Sequence, residues 1–472
     1  MDKKWQVFLL VAVSIFMSTL DSSIVNVALP FMMKDLSEGM GSIQWVVTVY
    51  LLTVSSLLLT FGRLSDIKGR PLVYRLGFAF FTLGSLLCGM SGSVNSLILA
   101  RALQGVGASM LMACSPALIV DVFEPERRGR ALGLVGACVA AGLTTGPVAG
   151  GLLLEYFSWR SIFYINIPVG VAALFFSGVV FEKNGRRSRE PLDMAGSLLV
   201  VILVAGMIVG LVKSGEWGIF SAEGLLCWGL SAGAGTGFVI NARQITYPLF
   251  DLERLQIRLF ILPLASSLTL FMALFSLIFM MPFYLSLACG FSPARTGLTM
   301  IVPFLFLLVV SPVSGALSDR LGSRALCVAG MGILTLSLVL LGQLVPSDGL
   351  SGILWRLALA GLGTAIFISP NSTVIMGAVP VNRRGVASGA EATARNLGMV
   401  IGVALSSAVF TYTFSRLTQG MGLDQYSPEM AGSFMAGFRH TMKAAAWVGG
   451  LGILITLARG NDKKTVKENT HE

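Results

Sequence analysis

Long uninterrupted apolar runs constrain this chain more than any other feature. They read at about 6–30, 44–62, 72–91, 95–119, 131–154, 161–181, 193–212, 219–240, 259–287, 294–317, 325–344, 351–379, 386–412 and 436–459. About 20 apolar residues are enough to cross a bilayer as a helix, and a lipid-exposed backbone must satisfy its own hydrogen bonds. The sequence therefore predicts an all-α polytopic membrane protein with fourteen transmembrane helices. Composition agrees, with 54% of 472 residues hydrophobic and 12% charged, against about 25% charged in a soluble domain. The first run carries an acid and lacks a small-residue cleavage site, so it reads as a helix and not a removed signal.

An even number of spans places both termini on one side. If that side is the inner one, most of the 34 Lys and Arg residues fall in inner loops, among them Lys3, Lys4, Lys68, Arg127, Arg130, Arg383 and Lys463. That bias predicts a multi-pass protein of the bacterial cytoplasmic (inner) membrane with both termini cytoplasmic. The formal charge of +10 is then a topology signal, and no nucleic-acid partner is implied. The six cysteines sit in or beside apolar runs without metal-ligand spacing and read as packing residues. With two histidines, both near segment ends, the chain offers no nucleophile–base or metal cluster, and it carries no Walker-type phosphate loop. It is expected to be no enzyme, to hold no metal or cofactor, and to draw on a proton gradient as its energy source.

The chain also repeats itself. Gly62-Arg-Leu-Ser-Asp66-Ile-Lys-Gly69 returns as Gly315-Ala-Leu-Ser-Asp319-Arg-Leu-Gly322, and Arg127-Arg128-Gly129 returns as Arg383-Arg384-Gly385. Arg101, followed by Gly105 and Gly107, has a counterpart in Arg356, followed by Gly361 and Gly363. Helices 1–6 and 9–14 are thus two copies of a six-helix unit, and helices 7–8 are an insertion. The expected organisation is an N-terminal bundle over 1–190, two additional helices with linkers over 191–258, and a C-terminal bundle with a short tail over 259–472. Parallel repeats of this kind build many secondary transporters, whose site lies near the midplane between the halves.

Five motifs occur in order. They are Leu20-Asp21 through Ala28-Leu29-Pro30; Gly62-x-Leu64-x-Asp66-x-x-Gly69-Arg70; Arg101-x-x-Gln104-Gly105-x-Gly107; Gly142-Leu-Thr-Thr-Gly146-Pro147-Val-Ala-Gly150-Gly151; and Trp159-Arg160 with Phe163, Asn166 and Pro168-x-Gly170. Together they resemble the major facilitator superfamily, specifically its fourteen-helix drug:proton antiporter branch, over nearly the whole chain. Pro71 departs from the basic residue that usually follows Arg70 in that pattern. The resemblance implies that helices 1 and 4 line a cavity, that the helix-5 glycines pack against the other half as an outer gate, and that Asp66 and Asp319 act in gating the inner face.

Asp21 and Glu391 are the two acids well inside predicted spans. At about 1.5 Å per residue, Asp21 lies roughly 22 Å from Gln6 in a core ~30 Å thick. A carboxylate there costs several kcal/mol unless it is protonated, paired or facing a wet cavity. Arg101 lies roughly 9 Å below the same edge as Asp21, which is at about 8 Å, so the two share a depth and are expected to pair. Proton and cationic substrate would then compete for one negative charge. Glu391 and Arg395, four apart on helix 13, are placed to pair, and Glu391 is a second candidate for staging protons or attracting cations. Gly142, Gly146 and Gly150, with Pro147, form a stripe that admits a closely packed neighbour. Asp66, with Arg70, Arg127, Arg128 or Arg130 as partner, and Asp319 in the second copy read as latches; Gly62, Gly69 and Arg395 belong with these gating positions.

Trp45 and Tyr50, with abundant Met and Phe, suggest a greasy, adaptable pocket for small amphipathic substrates, to which Asp21 and Glu391 would add charge. Asn26 lies about 140° around the helix from Asp21 and belongs with packing. The expected activity is proton-coupled efflux of hydrophobic, cationic drugs or dyes by alternating access. The alternative is an exporter of an endogenous amphipath such as a lipid, fatty acid, bile salt or siderophore. Protons and membrane lipids are the other partners. A periplasmic adaptor enters only in a Gram-negative host, and no long soluble arm calls for one.

Overall fold

The structure is a computed structural model that describes residues 2–181, 192–213, 217, 221–245, 257–379 and 384–460. Fourteen helices among these are long and apolar enough to cross a membrane. They are α1 (Lys3–Asp35), α2 (Met40–Lys68), α3 (Arg70–Met90), α4 (Val94–Val122), α5 (Gly133–Tyr156), α6 (Ser161–Val180) and α7 (Met194–Val212). After them come α8 (Ala222–Gln244), α9 (Leu259–Ala288), α10 (Pro293–Ser318), α11 (Ser323–Leu341), α12 (Pro346–Gly377), α13 (Ala387–Leu417) and α14 (Pro428–Ala458). All fourteen coincide with the apolar runs.

The helix ends follow local chemistry. The Ser93 hydroxyl accepts from the Ser96 amide at 3.3 Å while Ser96 Oγ accepts from the Ser93 amide at 3.2 Å, a reciprocal cap that starts α4. Asp193 caps α7 through the Gly196 amide at 2.7 Å, and Ser221 caps α8 through Gly224 at 3.0 Å. Between α2 and α3 the chain turns at Gly69, φ +98°, and its counterpart between α10 and α11 is Gly322, φ +88°. Only glycine adopts that region without strain, which is why the loop motif needs one at each copy.

The chain divides into two compact units. The first holds 1–252 and the short segment Ser292–Gly297; the second holds 253–291 and 298–472. Helices α7 and α8 fall in the first unit, packed on each other, with α7 also packed on α2. Ser231 on α8 donates to the Leu203 carbonyl at 2.9 Å, and Asn241 at the far end of α8 donates to both oxygens of Asp193 at 3.0 Å. At the end of α1, Asp35 accepts from Trp159 Nε1 at 2.8 Å and from Arg160 at 3.0 Å, which ties α1 to the opening of α6.

Close helix seams recur inside each unit. A Cβ on Gly77 of α3 would meet Leu111 at 3.0 Å, and one on Gly107 of α4 would fall on the α3 backbone at Phe81. In the second unit Gly330 of α11 and Gly363 of α12 oppose each other in the same way, a Cβ on Gly330 lying 2.6 Å from the Gly363 carbonyl. With lipid outside, such seams gain from contact between bare backbones, not from hydrophobic exclusion.

The helix-5 stripe corrects one expectation. Gly142, Gly146 and Gly150 lie against α1 of their own unit. Added Cβ atoms there would strike Thr19, Ser23 and Ile24, all on α1 of the same unit. Ser23 and Thr19 are four apart, as the glycines are, so small polar side chains of α1 fill the groove. Ser23 also donates to the Gly142 carbonyl at 3.3 Å. The second unit does the same: Gly398 and Gly402 of α13 press on the α9 backbone at Leu268 and Met272, and Ser276 donates to the Gly402 carbonyl at 3.1 Å. The stripe is a seam inside each bundle. It is Gly151, next along, that meets the Ser292–Gly297 segment, its Cβ position 2.6 Å from the Pro293 carbonyl.

Candidate functional site: a sealed charge cluster

Asp21 of α1 and Arg101 of α4 are both fully buried, at 0% exposure. Arg101 Nη1 lies 2.5 Å from Asp21 Oδ2. The same nitrogen donates to Gln104 Oε1 at 2.6 Å, and Nε donates to the Val46 carbonyl of α2 at 3.0 Å. The guanidinium lies over the Tyr50 ring, 4.1 Å from its centroid, with Phe163 of α6 at 5.7 Å. Asp21 Oδ1 accepts from Gln104 Nε2 at 2.8 Å and from Asn166 Nδ2 at 3.2 Å. Gln104 Nε2 also donates to Ser85 Oγ of α3 at 2.8 Å. The Gln104 amide can be satisfied in one orientation only, its oxygen toward the cation and its nitrogen toward the anion.

Five helices, α1, α2, α3, α4 and α6, supply this cluster. Backbone packing lets them converge: a Cβ on Gly84 would lie 2.6 Å from Gln104 Cα, so glycine there is what brings α3 and Ser85 against α4. A buried ion pair is favourable only when its remaining hydrogen-bonding capacity is met. Here both carboxylate oxygens are met, and the uncharged donors beyond Arg101 are amides.

Sequence reasoning placed Asp21 and Arg101 together but did not assign Gln104 and Asn166 to the site. Each carried a signal. Gln104 lies three residues after Arg101 on one helix face, and Asn166 is a polar amide early in an apolar span. Ser85 carried none, since hydroxyls are common in such helices. Of the pocket residues, Tyr50 is buried beneath Arg101 and donates to the Ser18 carbonyl at 3.3 Å. Trp45 is half-buried on α2 and takes no part in the cluster. Asn26 donates to the Ser22 carbonyl at 2.8 Å, away from Asp21.

A second cluster lies where α2, α3 and α4 end. Arg70 donates to Asp66 Oδ1 at 2.9 Å from Nη2 and at 3.1 Å from Nε, and its Nη1 lies 2.5 Å from Asp121 of α4. Arg70 is therefore the partner of Asp66, and Asp121 is a member that the motif alone did not reveal. Arg127 pairs with Glu124 at 3.6 Å instead. The side chains of Arg128, Arg130 and Asp319 lie outside the described residues. Gly62 has open space where a Cβ would stand.

In the second unit, Glu391 accepts from the Ser372 hydroxyl of α12. The expected pair with Arg395 does not form: no Glu391–Arg395 contact within 4.0 Å occurs, and the Arg395 guanidinium lies 6.0 Å from the Phe271 ring of α9. Arg356, the counterpart of Arg101, pairs with Asp348 at 3.1 Å, in the first turn of its own helix α12. The two copies share a fold and differ in charge.

The Major Facilitator Superfamily matches residues 11–403. The chain belongs to this superfamily. Among curated members, the chain is 34% identical to the riboflavin transporter RibZ of Clostridioides difficile over 419 residues, covering 88% of this chain and 90% of that protein. It is 35% identical over 400 residues to the multidrug resistance protein Stp of Mycobacterium tuberculosis, covering 84% and 74%. It is 32% identical over 409 residues to the tetracenomycin C resistance and export protein of Streptomyces glaucescens, covering 85% and 75%. Among solved structures, a bacterial homologue of the human lysosomal transporter Spinster, inward-facing and unoccupied, superposes with a TM-score of 0.69 at 15% identity, covering 97% of each chain. That likeness is one of superfamily fold. The chain is thus a multi-pass transporter of the superfamily, related to multidrug-resistance members.

Proposed function

We propose that the protein is a proton-coupled exporter of hydrophobic amphipathic compounds, cationic drugs and dyes among them, working by alternating access in a bacterial cytoplasmic membrane. The observation that carries this reading is the sealed Asp21–Arg101 pair, held at 0% exposure by two neutral amides and a carbonyl. A proton added to Asp21 removes the negative charge that balances Arg101. The guanidinium would keep only Gln104 Oε1 and the Val46 carbonyl, and an uncompensated buried charge costs about 3–5 kcal/mol. The cluster must then open or hydrate, and four of its five helices meet at Asp21 and Arg101 themselves. Because Asp21 is closed to solvent here, a cationic substrate reaches it only from another arrangement. Proton and substrate thus act by favouring different arrangements of one set of helices.

The relatives named for multidrug resistance and tetracenomycin export support the substrate class. A second reading, transport of a flavin-like vitamin, is favoured by the 34% identity to the riboflavin transporter over 88% of the chain. Everted vesicles given an imposed pH gradient test both. Gradient-driven uptake of ethidium, abolished by a protonophore and by Asp21→Asn, is the expected result. Riboflavin flux without ethidium flux would favour the second reading, and ethidium flux surviving in Asp21→Asn would remove Asp21 from coupling.

A further inference from the structure

From Ala431 to Ala458, α14 carries no acid but holds Arg439, His440 and Lys443. Residues three and four apart share a helix face, and all three of these lie on the exposed one, followed along it by Trp447 at 82% exposure. The opposite face, with Phe438, Met442 and Gly449, is the one packed inside the second unit. Counting back from Ala458 at about 1.5 Å per residue, Lys443 stands roughly 22 Å and Arg439 roughly 28 Å along α14, against a hydrocarbon core ~30 Å thick. The cations therefore sit at the outer edge of the core and one turn inside it, on the side that the basic-loop bias leaves poor in charge. Arg439 Nε donates to the Gly342 carbonyl at 3.3 Å. No described carboxylate pairs with any of the three.

The repeat shows that this charge is no requirement of the fold. An added Cβ on Gly170 of α6 would strike Thr82, and one on Gly449 of α14 would strike Thr335, so the two helices pack in the same register. In that register Arg160 stands where Arg439 does, and it has an acid, Asp35, at 3.0 Å. Tyr164 stands where Lys443 does, and Ser161 where His440 does. Inward of the cations the face is apolar and bare: a Cβ on Gly450 would meet nothing within 4 Å, and Leu451 and Leu454 beside it are exposed. Cations at the core's edge, then an indole, then open apolar helix complement an anionic head joined to a hydrocarbon chain.

We propose that the exposed face of α14 binds an anionic phospholipid of the outer leaflet, its phosphate at Arg439 and Lys443 and an acyl chain along Trp447, Gly450 and Leu454. This goes beyond the export reading, which rests on Asp21 in the first unit.

The test uses Trp447 as its own reporter. The full-length protein is placed in phosphatidylcholine nanodiscs carrying equal, low amounts of either a dibrominated phosphatidylglycerol or a dibrominated phosphatidylcholine. Bromine quenches an indole that it touches, and the quenching missing from Trp447→Phe belongs to this face. Wild type is expected to favour the phosphatidylglycerol by about fivefold for each basic residue engaged. Lys443→Gln is expected to lose about fivefold of that preference, Lys443→Arg to keep it, and Arg439→Gln with Lys443→Gln to abolish it. Equal quenching of Trp447 by the two lipids in wild type overturns the proposal, as does an undiminished preference in Lys443→Gln. Trp447 shielded from both lipids in a protein of dimer mass overturns it too, and assigns the face to a second copy of the chain. Lys443 is exposed, so its substitution leaves the core intact; if the double variant fails to fold, wild type and Lys443→Gln decide. The assay involves no gradient and no transported compound, so failure of the antiport reading would leave its result standing.

Discussion

At the scale of single residues, Asp21 and Arg101 hold each other in place. Arg101→Leu leaves a buried carboxylate uncompensated and is expected to cost about 3–5 kcal/mol. Adding Asp21→Asn to that variant removes the stranded charge, so the double variant should be more stable than Arg101→Leu alone. Thermal unfolding in detergent measures this cycle, and strictly additive losses would show that the pair is not coupled. Gln104→Leu should be more damaging than Asn166→Leu. Gln104 bridges cation, anion and Ser85, whereas Asn166 makes one longer bond at 3.2 Å. Dye efflux rates of the two variants check the order. The pair was legible in the sequence because charges in an apolar run stand out and the run fixes their depth. The amides were not, because a neutral polar residue can as well bond its own helix, as Asn26 does.

At the scale of helices, the seams are the sensitive parts. Gly146→Ala would put a methyl group onto Ser23, whereas Gly62→Ala enters open space. Overpacking typically costs about 1–3 kcal/mol, so a lowered melting temperature is expected for Gly146→Ala and little change for Gly62→Ala. Ser23→Gly in the Gly146→Ala background should recover most of the loss, and absence of recovery would contradict the α1–α5 seam. Gly84→Ala should be harder to rescue, since the obstacle is the Gln104 backbone at 2.6 Å. The four-residue glycine spacing was readable, and so was the need for a close neighbour. The neighbour's identity was not, because a bare stripe says that something approaches without saying what. The matching spacing of Thr19 and Ser23 was the available clue.

At the scale of the whole chain, the fourteen spans were legible because apolar length is a one-dimensional signal, and the recurring Gly-x-x-x-Asp loops mark the internal repeat in the same way. The charge asymmetry between the copies was less so: Arg101 and Arg356 look alike in sequence, yet one meets an acid of α1 and the other an acid in the first turn of its own helix. An even number of spans predicts that tags on both termini are accessible from the same side of sealed vesicles, the cytoplasmic one by the basic-loop bias. Tags reporting opposite sides would contradict the fourteen-span reading.

The central claim is that one carboxylate, Asp21, couples proton and substrate. The most direct measurement is proton movement in liposomes containing the purified protein when a lipophilic cation such as tetraphenylphosphonium or ethidium is added, followed with a pH-sensitive dye. The account predicts substrate-triggered proton movement in wild type and none in Asp21→Asn that still binds the cation. Proton movement of equal size in the variant would contradict it.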